Sequence, residues 1–168
     1  ARSRGADVIV HEKATDVGVR FHGDFQGLEN WTGSSDVLCE LQGLGIEVSF
    51  EHAPVYEIVC FDSDGAPQSL RATKPIFYLV RRGVEAGTLD HALKVQALRA
   101  GAAIAFSSRS RRLAGGGVVA AGPHRADVIA TGYVFDTDMA NGCYVAVAER
   151  LAAAGYSYLL VNNGRGTV

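Results

Sequence analysis

The chain has 168 residues, of which 48% are hydrophobic and 20% charged, and its formal net charge is −2. That composition suits one folded domain with a real core and excludes a disordered polyelectrolyte. The near-neutral balance gives no global attraction to nucleic acid or to an anionic membrane, and the apolar runs are too short to span a bilayer.

In chain order, Val8, Ile9 and Val10 form a continuous apolar run that ends in an acid, Glu12. Such a run predicts a strand covered on both faces. Residues 16–31, rich in Gly and polar side chains, read as a loop with aromatic anchors. Val37, Leu38, Leu41 and Leu44 follow helical spacing, which predicts a short helix over 36–44 with Ser35 as N-cap and Gly43 and Gly45 as stops. Residues 46–61 are rich in β-formers interrupted by Pro54, and Asp62-Ser63-Asp64-Gly65 predicts a hairpin turn. Ile76–Arg82 is a further strand, with Pro75 tolerable at its start. The clearest helix is TLDHALKVQALRAG: Thr88 can cap it, Asp90 suits its positive end, and Gly101 suits the left-handed C-terminal position. Leu89, Leu93, Ala97 and Ala100 are its expected apolar face. Residues 102–106 and 126–131 read as strands, and beyond Tyr133 short β-runs alternate with Asn141-Gly142 and Asn163-Gly164 turns, which predicts an antiparallel sheet.

Two kinds of structure are therefore interleaved. Pieces at 7–12, 88–106 and 126–131 carry the pattern of a parallel α/β sheet, and pieces at 46–82 and 133–168 that of an antiparallel one.

The chemistry-bearing residues are sparse. Cys39, Cys60 and Cys143 are odd in number and widely spaced, as free thiols in a reducing cytoplasm would be. The five histidines form no HxH or HExxH, so no metal site is expected. GGGVVAAG, from Gly115, formally contains GxGxxA. It lacks a strand before it and a helix after it, and reads as a hairpin turn rather than a phosphate loop, with Arg109, Arg111 and Arg112 as a solvated basic flank. Ser157 in GYSYL lacks the second Gly of a GxSxG elbow, which argues against a hydrolase. Glu12 stands where the second strand of a dinucleotide-binding unit places an acid for the adenosine ribose, and Thr131-Gly132 would let a cofactor approach the backbone. Tyr78, Tyr133, Tyr156 and Tyr158 are candidates to line an apolar substrate pocket.

As an ordered set, VIVHEK, GVRF, LDHALKVQALRAGAAIAF, ADVIATG and GYSYLLV resemble the flavoprotein family of geranylgeranyl reductases and p-hydroxybenzoate-hydroxylase-type monooxygenases. RFHGDFQGLENW resembles a bacterial branch described only broadly as FAD- or NAD(P)-binding oxidoreductases. The resemblance implies an incomplete Rossmann-like FAD-binding parallel sheet interleaved with an antiparallel substrate-binding sheet. Residues 1–45 and 83–132 would belong to the FAD-binding part, and 46–82 and 133–168 to the substrate part. By the same resemblance Glu12, with Lys13 beside it, would bind the adenosine ribose, and Gly18 and Arg20 would lie in a loop along the diphosphate. Arg109 and Ser110 would meet the adenine, Thr131 and Gly132 would lie along the cofactor, and Arg81 or Arg82, with Arg82 preferred, would approach the flavin. Tyr158 would match an aromatic position on the substrate side.

The chain departs from the pattern at Val19, at the residues 83–87 between arginine and helix, and at Leu159-Leu160-Val161. A GxGxxG turn and a later Gly-Asp motif are missing from it, so the expectation is a fragment of a longer FAD-dependent reductase or monooxygenase. NAD(P)H would be the electron donor and a small or prenyl-like apolar molecule the substrate. A non-catalytic binding module without cofactor is the alternative; a nicotinamide-only dehydrogenase leaves the antiparallel half without a role. No catalytic side chain is assigned, because flavin can act without a protein acid or base. Uncovered strand edges make self-association the expected behaviour of the isolated chain.

Overall fold

The computed structural model describes residues 5–110, 116–122 and 129–168. Strand β1 (Ile9–His11) comes first, followed by β2 (Phe25–Glu29) and helix α1 (Val37–Gly43). Four strands come next: β3 (His52–Val55), β4 (Glu57–Phe61), β5 (Pro67–Arg71) and β6 (Phe77–Arg81). Helix α2 (Leu89–Arg99) leads into β7 (Ala103–Ala105), and the remaining strands are β8 (Val134–Asp136), β9 (Gly142–Ala146), β10 (Ser157–Asn162) and β11 (Arg165–Thr167). Among the described residues two helices and three sheets make the class α+β. Among the described residues no helix is long and apolar enough to cross a membrane.

The antiparallel sheet β2-β6-β3 is the middle layer. Side chains alternate across a strand, so Phe77 and Leu79 of β6 face one way and Tyr78 and Val80 the other. Phe77 and Leu79 pack with Phe25 and Val55 against Cys143 and Leu160 of the mixed sheet β5-β4-β9-β10-β11-β8. On the other face Val80 packs with Leu28 against Ala92 and Leu89 of α2 and Leu38 and Leu41 of α1. Covered on both sides, β6 is buried through its first four residues. Pro54 lies within β3, an edge strand of this sheet, where its missing N–H costs no ladder bond.

The loop expected over 16–31 contains β2. Its Gly27 lies opposite Leu79, and a Cβ there would approach the Phe77 ring to 3.1 Å. The absent side chain that weakened the strand signal is what lets Phe77 pack. Helix α1 is capped by Asp36, not Ser35: Asp36 Oδ1 accepts from the Leu38 N–H at 2.9 Å, and Tyr78 donates to Oδ2 at 2.6 Å. The Tyr78 bond pins the carboxylate at the cap, whereas the Ser35 hydroxyl is turned to Glu40. In α2 the buried face is centred on Ala92, and Leu93 and Ala100 are exposed, so the apolar face is rotated from the expected one. The Asp62–Gly65 and Asn163-Gly164 turns are hairpins as expected, while Gly142 already belongs to β9. The sheet beyond Tyr133 is antiparallel except where β9 runs parallel to β4. The strand expected over 126–131 lies partly outside the described residues, and Ile129–Thr131 are not in a strand.

β1 and β7 pair in parallel as a two-stranded sheet of their own, Ile9 beside Ala103 and His11 beside Ala105. Helix α2 leads into β7 through Gly101 at φ +84°, the left-handed conformation that glycine adopts without a Cβ penalty. All three residues of β1 are exposed, contrary to a strand covered on both faces, because no element of the described chain lies over them.

Candidate functional site

Glu12 directly follows β1 at its carboxyl end. Its N–H donates to Ala105 O at 3.0 Å and its carbonyl accepts from Ser108 N–H at 2.9 Å, so the backbone ties it to the end of β7. Glu12 Oε1 accepts from the Ala14 N–H at 2.8 Å, closing the turn after the strand. Beside it His11 Nδ1 lies 2.9 Å from Ser108 Oγ. Ser107 holds φ +50°, a conformation uncommon for a side chain other than glycine, Asn or Asp, and so turns the chain sharply. Lys13, Arg109 and Ser110 are exposed around this edge. The parallel pairing thus brings Glu12, Lys13 and residues 107–110 together at one rim.

Gly18, Arg20 and Arg82 gather at a second place. The Arg82 guanidinium makes a two-pronged pair with Asp90, Nε and Nη2 each at 2.8 Å, and Nη1 donates to Gln26 at 2.6 Å. It also stacks over the Phe21 ring at 4.1 Å, and Arg20 lies over the same ring at 4.5 Å. Gly18 sits against this pair at φ +68°, where a Cβ would come within 2.7 Å of Gly83 O and 2.8 Å of Asp90 Cβ. Burial raises the Asp90 pKa, but hydrogen bonds from Arg82 and from the Gly83 N–H outweigh it and hold the carboxyl below the usual range. Thr88, fully buried, locks the turn between β6 and α2: its hydroxyl lies 2.6 Å from Gly83 O and accepts from the His91 N–H. Lys94 grips Asp16 with two 2.8 Å bonds and fixes the start of the same loop. The charges of Arg82 and Asp90 satisfy each other, and the cluster fastens the 16–24 loop to α2. Arg81, the other arginine of the pair, faces the opposite side of the sheet.

The remaining expected residues are scattered. Thr131 and Gly132 are exposed. A Cβ on Gly132 would collide with the Val168 carbonyl, and the neighbouring Tyr133 exchanges both backbone bonds with Val168 at 2.8 and 3.0 Å. That close approach accounts for the glycine without a ligand. Tyr78 is buried under α1, and its bond to Asp36 pushes its pKa up to about 12. Tyr158 packs at the edge of the inter-sheet core, Tyr156 lies against it with ring centroids 6.3 Å apart, and Tyr133 is exposed. The four tyrosines do not converge on one pocket.

Two adjoining clefts between the middle sheet and the six-stranded sheet have no signal in the sequence. The first, about 320 Å³, is lined by Phe25, Ala53 and Leu79 together with Glu51, Arg81, Asn162 and Arg165. The second, about 270 Å³, shares Ala53, Leu79 and Asn162 and continues along Val55, Cys143 and Val161. Burial pushes the Cys143 thiol up to about 11, so it stays protonated and unreactive at neutral pH. The residue after an Asn-Gly turn was the available clue to Arg165, but nothing in its spacing told which face it would take. Among the described residues no group of His, Cys, Asp and Glu could hold a metal ion. No protein-family model and no curated protein matches the chain.

Proposed function

We propose that the chain is part of an FAD-dependent oxidoreductase, a reductase or monooxygenase for a small or prenyl-like apolar substrate, with NAD(P)H as electron donor. One observation carries this reading: β1 and β7 run parallel, α2 leads into β7, and Glu12 emerges at the carboxyl rim, where open α/β sheets bind nucleotides. Glu12 fits the adenosine ribose, because among the described residues only its Oε1 is engaged, by the Ala14 N–H, leaving Oε2 to accept from a ribose hydroxyl. Lys13, Arg109 and Ser110 border that position, and Arg20 adds positive charge near the loop that would follow the diphosphate. When bound, the isoalloxazine supplies the redox chemistry, and the protein supplies binding, orientation and a water-poor pocket. A binding module without flavin is the competing reading; the Arg82–Asp90 pair favours it, since that arginine is already satisfied.

The test is the visible absorption spectrum of the chain after incubation with excess FAD and desalting. Retained flavin absorbance, displaced by ADP and weakened about tenfold or more by Glu12→Ala (about 1.4 kcal/mol), is the expected result. A colourless protein, or flavin retention indifferent to Glu12→Ala, overturns it.

A further inference from the structure

The first inter-sheet cleft is lined by a cation, Arg165, whose hydrogen bonds among the described residues go to neutral groups. Arg165 is half-buried at the start of β11. Its Nε donates to Gly23 O at 3.1 Å and its Nη2 to His22 O at 2.7 Å, both neutral acceptors. Gly23 makes the seat: a Cβ there would come within 2.6 Å of Nη2. Among the described residues no carboxylate makes an ion pair with Arg165, although Asp136 stands opposite it across the β8–β11 ladder. A partly desolvated cation held only by carbonyls is costly unless an anion meets it.

Across the cleft Arg81 is already balanced by Glu51 and Glu85, at 3.2 and 3.4 Å. Even so its enclosed Nε, although 3.2 Å from Glu51 Oε2, is misaligned and makes no hydrogen bond. Asn162 lies between the two clefts and has no side-chain partner of its own among the described residues. From this polar end the floor runs over Phe25 and Leu79 into the second cleft, where Val55, Cys143 and Val161 stand beside the polar Tyr56, Asn141 and Glu57, the last paired with Arg71 at 3.0 Å. The shape is a hydrogen-bonding end that carries Arg165, with an extension of mixed lining whose apolar side is Leu79, Val55 and Val161.

From this geometry we infer that the adjoining clefts bind a monocarboxylic acid with an aliphatic chain. Arg165 receives the carboxylate through Nη1, the nitrogen not used toward Gly23 and His22, Asn162 donates its amide, and the chain lies over Leu79 toward Val161. A charge-assisted bond to a guanidinium in a partly dry site is about twice as strong as a neutral one, which sets acids apart from alcohols of equal length. The inference stands apart from the flavin reading, because the binding is measured without nucleotide.

The experiment is isothermal titration of the unaltered chain with octanoate, with 1-octanol as the neutral probe of equal chain length. Octanoate is expected to bind at least tenfold more tightly than octanol, and the preference is expected to disappear in Arg165→Gln. Arg165→Lys, which keeps the charge but not the fork, is expected to retain part of it. Equal affinities for octanoate and octanol in the unaltered chain overturn the inference whether or not Arg165→Gln folds. A preference that survives in folded Arg165→Gln overturns it as well. Full retention of FAD with no octanoate preference would defeat this inference alone.

Discussion

β1 and β6 are both short apolar strands, Ile9-Val10-His11 and Phe77-Tyr78-Leu79-Val80-Arg81, yet their surroundings are opposite. β6 lies at the centre of its sheet with helices over one face and six strands over the other, and Val80 is 2% exposed. Among the described residues β1 has a single partner and no cover, and Ile9 is 65% exposed. Burial is a property of what the rest of the chain lays over a strand. A parallel pair is ordinarily covered on both faces, and two strands by themselves are marginal in water. The molecule therefore combines a closed sandwich with a pair held to it through α2 and a set of loop contacts.

Substitutions can break or sharpen that contrast. The largest effect is expected at Leu79, whose truncation opens a hole between the two sheets. Leu79→Ala should cost about 2–5 kcal/mol, read as a lower urea midpoint with unchanged slope. Ile9→Ala should cost less than about 0.5 kcal/mol, as exposed sites do. Comparable losses at the two positions would mean that β1 is covered in solution, and the contrast would fail.

Next in size is the fastening between the two parts. Gly18→Ala places a Cβ against Gly83 O and Asp90 at a positive φ. A loss of about 1–3 kcal/mol is expected from the overpacking, together with earlier hydrogen exchange in β1 and β7 than in β6. Uniform exchange across all three strands would contradict a separately fastened pair.

Smaller effects should appear as pH dependence. Burial works against ionisation of Asp90, but the bonds from Arg82 and Gly83 win, so its folded pKa is lowered. Its contribution is present above the unfolded carboxyl pKa and is lost as pH falls through the lower folded value, in the acid range below about 4. Asp16, held by Lys94, and Asp36, held by Tyr78, titrate in the same sense. Tyr78 works at the other end: raised to about 12 by Asp36, it contributes fully below its unfolded pKa near 10 and loses that contribution as pH rises from there to 12. Tyr78→Phe should flatten the alkaline limb, and Asp90→Asn the acid one, in thermal melts taken across pH. The smallest change in stability, with the clearest change in association, is expected from Val10→Lys. A charge on an uncovered strand blocks edge pairing, so any self-association seen by sedimentation should fall while the melt stays put.

Much of the local structure was legible in the sequence. Thr88, Asp90 and Gly101 marked both ends of α2, because caps act within a few residues. The turns at 62–65 and 163–164 were equally local. The parallel relation of β1 to β7 was readable from their patterns with the helix between them. β2 was hidden because Gly27 carries no side chain and its strand is specified by Phe77 across the ladder. The cap of α1 was misplaced because Tyr78, far along the chain, selects Asp36 over Ser35. At the candidate site the same division holds. Glu12 was readable at a strand end, whereas the clefts depend on Arg81 and Arg165 arriving from different sheets, and no spacing rule in one strand contains that.

The bond from Phe25 N–H to the buried Thr167 hydroxyl, 2.9 Å long, joins positions separated by 142 residues. It sets a timetable for synthesis. At roughly 5–20 residues per second, β2 waits about 7–28 s on the ribosome before β11 exists to close its outer edge. During that interval β6 and its neighbours have helices for one face and only β4 and β5 of the covering sheet for the other. The nascent chain must keep Phe77 and Leu79 from other strands until β9 and β10 arrive, so its yield in cells should depend on chaperones that bind unfinished apolar sheets.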